Sequence, residues 1–531
     1  MVFHDGSIIM KSNGIQLTGR EAVKGAYKDE FQERMANRKP APGWEEYVME
    51  TNSKIRQWLE GSSEASPPFR LEEIQKCVNS LKADKSPGVD GYPPEVFKKA
   101  GDGLLKSLLV VFNEIKTTKE IPEQWDLVRI VAIYKQKGSK KLLKYYRGIF
   151  LVIVVCKIFE KLIKMRIDDN LRKINLLQAG SRKNRGGPDN VYLFRGAIDH
   201  YKFTRKPLFV TTYDFETAFD SLWREDCILS LQKLGVEKEM LQLIYNLNKT
   251  AKVMVKTPFG DTTVFTTDPV VKQGTVLGPV LCSSSTGEYC AENVGVSIGT
   301  LLLATLLFVD DIIDLSGSTE DCEISHNNAI LFSLRKKLRY SLTKCYNMII
   351  NEDRVEELPF LPIDEENNVL TADEIAYLGD VFNSQGDNTG LVKDRIKRGT
   401  KAMVSIAALL GETEVGVHKV SLMLLLYRAL FLSAILFNSQ TWSKLRKKDI
   451  DSLQRLQLRF LKRVIGVAAS TANSFIFLEL GVLPIQYEIE LRQLMFLHRI
   501  LNLHEDDPVH KMFENQVRMA GKVARKTGGV L

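Results

Sequence analysis

The side chains of this chain best placed to do chemistry are carboxylates. Phe308-Val309-Asp310-Asp311 interrupts the apolar run Leu301 to Leu315, and Asp214 closes a second apolar run that opens at Leu208. Adjacent ionised carboxylates flanked by Leu, Ile and Phe cost free energy to hold together unless a bound cation compensates them. The alternative use of an Asp pair is a plain turn between strands, where Asp bonds its own backbone. Both flanking segments are short and rich in β-branched and aromatic residues, so the pattern predicts buried strands with the carboxylates at strand ends or on a hairpin. Such a place suits Mg²⁺, a hard ion that demands a near-octahedral oxygen shell and shares it with substrate phosphates. Two such ions about 3.5 to 4 Å apart can activate an attacking 3′-hydroxyl and stabilise a leaving pyrophosphate, which is nucleotidyl transfer.

The elements that would position these groups can be read coarsely. At 531 residues, with 44% hydrophobic and 26% charged side chains, the chain has room for about three domains and the composition of a globular protein. Residues 1–70 are polar, with a weakly helical stretch through Arg20 to Arg38 and a Pro-containing link at Lys39 to Gly43, and are expected to form a poorly packed lead-in. Leu71, Ile74, Cys77, Val78 and Leu81 recur at helix spacing until Pro87 to Gly91 breaks the pattern. From Leu391 onward the pattern is almost wholly helical and ends in a basic tail, Lys522 to Leu531. The run Leu422 to Phe437 is apolar, but Arg428 near its middle would be costly in lipid, so a buried helix and no membrane span are expected.

A net charge of +8 carried in clusters favours a polyanionic partner. Seven cysteines without a Cys-x-x-Cys spacing show neither a disulfide framework nor a zinc knuckle and indicate a reducing compartment. Met1 to Met10 carries Asp5 and lacks the basic start and apolar core of a signal peptide, so the expected location is intracellular, in nucleus or cytoplasm, and not secreted.

The order of motifs is more specific than any one of them. Asp214-Phe215-Glu216-Thr217-Ala218-Phe219-Asp220-Ser221-Leu222-Trp223, then Gln273-Gly274-Thr275-Val276-Leu277-Gly278-Pro279, then Phe308-Val309-Asp310-Asp311 resembles the palm motifs A, B and C of reverse transcriptases, above all those of non-LTR (LINE-type) retrotransposons. Ser86-Pro87-Gly88-Val89-Asp90-Gly91, Tyr146-Arg147-Gly148-Ile149, Tyr377-Leu378-Gly379 and Trp442 with the basic helix after it are similar to further segments of the family, so the resemblance spans Leu71 to Leu503. It implies an α+β right-hand polymerase: fingers over about 71–207, a palm with an antiparallel sheet over about 208–383, and a helical thumb and extension over 384–531. It implies an RNA-directed DNA polymerase with RNA template, DNA primer or target, dNTPs and two Mg²⁺ ions, for which Mn²⁺ can substitute.

By the same resemblance Asp214, Asp310 and Asp311 would ligate metal together with the Phe215 carbonyl. Phe219 would lie beneath the sugar and exclude a 2′-hydroxyl, or else be a core aromatic. Gln273 and Gly274 would lie against the nascent base pair, with glycine allowing close backbone approach. Lys344 would protonate pyrophosphate or be a surface lysine. Lys135 and Arg147, in the basic stretch between two expected strands, would contact the triphosphate, Arg147 being suited to bidentate contact. Arg182 and Arg185, in Gly180-Ser181-Arg182-Lys183-Asn184-Arg185-Gly186, match a segment near the template, although Ser181 stands where an aromatic is common. Arg455, Arg459, Lys462 and Arg463 fall largely on one face of an amphipathic helix and would follow a nucleic-acid backbone or form a solvated face. Gly148, Thr217 and Val309 depart from common family residues, yet no ligand is lost. With no endonuclease domain before residue 70 and no Cys/His knuckle after the thumb, the chain reads as the polymerase portion of an element; an inactive RNA-binding remnant and a maturase-like splicing helper are the other readings.

Overall fold

The computed structural model describes residues 8–10, 16–36, 39–136, 138–267, 271–291, 293–410 and 417–527; Lys137 of the basic stretch and residues 528–531 of the basic tail lie outside these. The first body contains helices α1 (Arg20–Arg34), α2 (Glu45–Glu60), α3 (Leu71–Asn79) and α4 (Asp102–Thr118), strands β1 (Leu127–Tyr134) and β2 (Tyr146–Leu151), and helix α5 (Val154–Leu171). The chain continues with α6 (Gly187–Thr204), β3 (Leu208–Tyr213), α7 (Ala218–Ser221), α8 (Arg224–Lys233), β4 (Lys252–Thr257), α9 (Gly278–Thr286), β5 (Thr305–Phe308), β6 (Asp311–Ser316), α10 (Thr319–Arg335), β7 (Tyr346–Ile350), β8 (Glu374–Tyr377) and β9 (Asp380–Asn383). The helical remainder includes α11 (Thr389–Leu410), α12 (Lys447–Ile465), α13 (Ile485–Leu501) and α14 (Pro508–Thr527).

The palm sheet has the order β5-β6-β3-β7, with Leu370–Thr371 on the outer edge of β7. The pairings β5/β6, β6/β3 and β3/β7 are antiparallel. β3 sits in the middle, and Leu208, Phe209 and Val210 are all but fully buried, which explains why this strand is a continuous apolar run and not an alternating one. Helices α6 and α10 pack on the sheet. The sheet β2-β1-β4 is separate, with β4 parallel to β1.

The first 70 residues depart from the expected lead-in. Val23, Tyr27 and Phe31 recur every fourth residue along α1 and are buried against Val128, Ile130 and Phe150 of the small sheet. Ile55 and Leu59 of α2 enter the core of the fingers. Polar residues fill the outer faces of both helices and mask this stripe when the segment is read only for average polarity.

In the thumb, Tyr427, Phe431 and Phe460 stack with ring centroids 4.8 to 5.5 Å apart, and the apolar run there contains one π-helical turn, Tyr427–Leu432. Among the described residues no helix is long and apolar enough to cross a membrane.

The palm–thumb joint is polar. Tyr377-Leu378-Gly379-Asp380 is a two-residue hairpin turn with positive φ at both Leu378 (44°) and Gly379 (86°), as a type I′ turn requires. It aims Asp380, fully buried, between Arg195 of α6 (3.0 Å) and Arg395 of α11. A buried carboxylate is stable only when paired, so Asp380, held by Arg195 on α6, also fastens α11 through Arg395. α14 returns to the palm: Tyr192 of α6 donates a hydrogen bond to Gln516, and Gly196 leaves room for Met512, whose sulfur would be 2.4 Å from a Cβ there.

Candidate active site

Sheet register brings the carboxylates together. β6 pairs with β3 at Ile312↔Tyr213 and Ile313↔Thr212, so one further step of the same ladder sets Asp311 opposite Asp214. Directly opposed residues have Cβ atoms roughly 4.5 to 5.5 Å apart. Asp310 is in the two-residue turn between Phe308 and Asp311, which pair with each other. Val309, the first turn residue, has φ 63°, and Asp310 does not, which is the sign pattern of a type II′ turn.

Crowding of like charge shows in the acidities. The Asp310 carboxyl is held above the usual Asp range by burial and by the Asp214 charge, against the opposing pull of Arg147 and Lys344. Asp311 is pushed up to about 7 by desolvation and by Asp310 and Asp214. Solvent reaches Asp311 and screens part of this effect. Lys344 forms an ion pair with Asp214 in which both side chains are about two-fifths exposed. Among the described residues no three His, Cys, Asp or Glu side chains are already gathered as a metal cage. The donor set nevertheless suits a hard ion: oxygen ligands, mutual repulsion that a cation would relieve, and open solvent access for the remaining shell.

Beyond Asp214 the chain bridges antiparallel to residues 339–341 through main-chain bonds. Ser341 N–H donates to the Asp214 carbonyl (2.8 Å), and Glu216 N–H donates to the Arg339 carbonyl (2.9 Å). Phe215 is buried and stacks on Tyr340 at 4.8 Å, which fixes the peptide whose carbonyl follows the first carboxylate. Phe219 lies on the short helix α7, half-buried and packed on the fingers core.

The Gln273–Gly274 loop lies against β2. Phe150 N–H donates to the Gln273 carbonyl (2.8 Å); Gly274 has φ 103°, and a Cβ there would meet Ile149 and the Phe150 carbonyl at 3.0 Å. The same loop is gripped by Glu160 of α5, whose Oε2 accepts the Val276 N–H at 2.7 Å. Burial raises the Glu160 carboxyl to about 7, opposed by that amide and by Lys272. Glu160 escaped the sequence reading, yet a signal was there: it shares the register 156, 160, 163, 167 with Cys156, Ile163 and Ile167, all buried, where a charge needs a reason.

The basic residues separate into two groups. Arg147 pairs with Ile133 across β1/β2, and Lys135 N–H donates to the Tyr145 carbonyl two residues further on, so Arg147 and Lys135 share one face of this hairpin and both are exposed. Arg147 is near enough to Asp310 and Asp311 to oppose their raised acidities. Arg455, Arg459 and Arg463 form an exposed stripe at four-residue spacing on α12, while Lys462 is half-buried and donates to the Ala469 carbonyl (2.6 Å). Arg182 and Arg185 turn into the protein. Arg182 donates to the Asn175 and Arg172 carbonyls after α5 (2.6 and 3.0 Å), and Arg185, with its side chain 9% exposed, pairs with Asp507. Open carbonyls past a helix end and a buried carboxylate each bind a guanidinium more firmly than solvent does.

A palm of antiparallel strands with acidic residues at its strand ends, flanked by a cationic fingers hairpin and a helical thumb, is the architecture of a right-hand nucleotide polymerase. Residues 134–382 match the family model for reverse transcriptase (RNA-dependent DNA polymerase). Among relatives, the chain is 27% identical over 235 residues to the probable RNA-directed DNA polymerase from transposon BS of Drosophila melanogaster, covering 43% of this chain and 25% of that one. It is 28% identical over 270 residues to the RNA-directed DNA polymerase from mobile element jockey of Drosophila funebris, covering 50% and 29%. It is 24% identical over 333 residues to the retrovirus-related Pol polyprotein from type-1 retrotransposable element R2 of Nasonia vitripennis, covering 60% and 31%. The chain thus spans about a quarter to a third of the length of these relatives. Residues 134–382 thus match the reverse transcriptase family, and the relatives that the chain resembles are polymerases of mobile elements.

Proposed function

We propose that the chain extends a DNA 3′ end along an RNA template with dNTPs by nucleotidyl transfer. The observation that carries this reading is the convergence of Asp214, Asp310 and Asp311 at the open end of the palm sheet, within electrostatic reach of Arg147 on the fingers hairpin. Divalent ions, Mg²⁺ or Mn²⁺, would be held by these carboxylates and the Phe215 carbonyl, and would supply activation of the attacking hydroxyl and charge stabilisation of the leaving group. Arg147 and Lys135 bind the triphosphate from one face of their hairpin. Gln273 and Gly274 pass close to the nascent base pair on a loop that Glu160 holds. Phe219 lies beneath the sugar and disfavours a ribose. Lys344, released from Asp214, delivers a proton to pyrophosphate. Arg455, Arg459 and Arg463 neutralise successive phosphates without reading sequence.

The test is primer extension on poly(rA)·oligo(dT) with purified protein and Mg²⁺ or Mn²⁺. Extension by the unaltered chain and its loss in Asp310→Asn with RNA retention unchanged support the reading. RNA retention without any extension would make the protein a binding remnant, and extension that survives Asp310→Asn would refute the site.

A further inference from the structure

Gln178 is fully buried and lies outside every motif considered above. It occupies the link between α5 and α6, where residues 177–179 run parallel to β5: Leu307 N–H donates to the Leu177 carbonyl (3.0 Å) and Ala179 N–H donates to the Leu307 carbonyl (2.9 Å). From there its side-chain amide reaches the turn that carries Asp310. Oε1 accepts the N–H of Val309 (2.9 Å) and of Gly180 (2.9 Å). Nε2 donates to the Val309 carbonyl (3.2 Å) and to Thr286 Oγ1 (3.0 Å), and that hydroxyl lies 2.7 Å from the same carbonyl. Both backbone polar groups of one turn residue, Val309, are therefore held by one side chain.

The turn needs holding. A β-branched residue is strongly disfavoured at positive φ, and glycine is the usual occupant of the first position in a type II′ turn. Val309 nevertheless sits at φ 63°, with its side chain packed on the fingers core. Gly180 completes the arrangement: a Cβ there would lie 2.4 Å from the Val309 nitrogen, so only glycine lets the fork close on the turn.

We propose that Gln178 is a positioning residue for the polymerase reaction: its amide fixes Val309 in the left-handed conformation and thereby sets the aim of Asp310 and Asp311. The proposal rests on the polymerase reading for its kinetic part and on geometry alone for its anchoring part. The role requires a group that both donates and accepts. Glutamate has the shape and loses the donors; leucine loses both.

The test compares Gln178→Leu and Gln178→Glu in Val309 and Val309→Gly backgrounds. Two neutral hydrogen bonds at about 1 kcal/mol each correspond to roughly 30-fold. We expect Gln178→Leu to lower kcat of primer extension by about 10- to 100-fold with KM for dNTP within about twofold, and amide exchange at residue 309 to rise at least about tenfold. With glycine at 309, which adopts positive φ without strain, the same substitution should cost several-fold less, a non-additivity read by a double-mutant cycle. If Gln178→Leu fails to fold, Gln178→Glu carries the same comparisons. Unchanged exchange at residue 309 in a folded variant would overturn the anchoring, and equal kcat losses in the two backgrounds would overturn the link to the Val309 conformation. Exchange is measured without catalysis, so an unaltered chain that extends no primer would defeat the polymerase reading and leave the anchoring judged on its own.

Discussion

Protons and divalent ions should compete at the palm carboxylates. Asp311 has its carboxyl raised to about 7 by desolvation and by the charges of Asp310 and Asp214. A raised carboxyl pKa means that the folded, metal-free protein holds a proton where the ion needs an anion, so apparent metal affinity rises with pH up to the folded pKa and levels off above it. With that pKa, about one molecule in eleven has Asp311 ionised at pH 6 and about ten in eleven at pH 8, so affinity should rise about tenfold across this window. Solvent screening at Asp311 moves the midpoint below 7 and leaves the sign unchanged. The assay is Mn²⁺ binding by electron paramagnetic resonance at constant ionic strength, without substrate, at pH 6, 7 and 8, on the unaltered chain and on Asp311→Asn. The unaltered chain should show the rise and the variant a flatter profile. Affinity equal at pH 6 and 8, or an undiminished slope in Asp311→Asn, would rule out proton competition at Asp311.

Other perturbations have equally definite outcomes. Lys344→Ala removes the cation paired with Asp214; a partly exposed ion pair is worth up to about 1 kcal/mol, so metal-free protein should bind Mn²⁺ up to about fivefold more tightly in calorimetry while extension slows. Phe219→Ala should raise ribonucleotide incorporation, and unchanged sugar selection would make the ring purely structural. Glu160 has a raised pKa in the fold, so its contribution to stability is present below about 4.5 and lost as pH rises towards 7; thermal melts at pH 5 and 8 should show a fall in stability, on the order of 3 kcal/mol for this group, that Glu160→Gln lacks. Replacing Arg455, Arg459 and Arg463 together by Ala should shallow the salt dependence of nucleic-acid binding by about one unit of log–log slope per lost phosphate contact, and an unchanged slope would assign the stripe to solvent.

Features set by the local period of apolar residues are legible in the sequence, and those set by distant partners are not. β3, the β5–β6 hairpin and the thumb helices declare themselves because their apolar residues follow the period of the element that buries them. The three carboxylates were legible for the same reason: charges inside apolar runs demand explanation. The fate of Arg182 and Arg185 was not legible, because whether a guanidinium faces nucleic acid or a carbonyl at a helix end depends on where α5 stops and where Asp507 returns, over three hundred residues later in the case of Arg185. The packing of α1 was missed because three apolar residues in a polar helix suffice when a sheet is waiting to cover them. The positive φ of Val309 could not be read from a valine; it is imposed by a side chain and a glycine from a distant link.

In the proposed reaction Asp214, Asp310 and Asp311 would hold divalent ions together. Anomalous scattering from crystals grown with Mn²⁺, primer–template and a non-hydrolysable dNTP tests this directly. Two peaks about 3.5 to 4 Å apart beside these carboxylates are expected. Manganese bound elsewhere, or Lys344 still seated on Asp214 with the carboxylates unliganded, would contradict this.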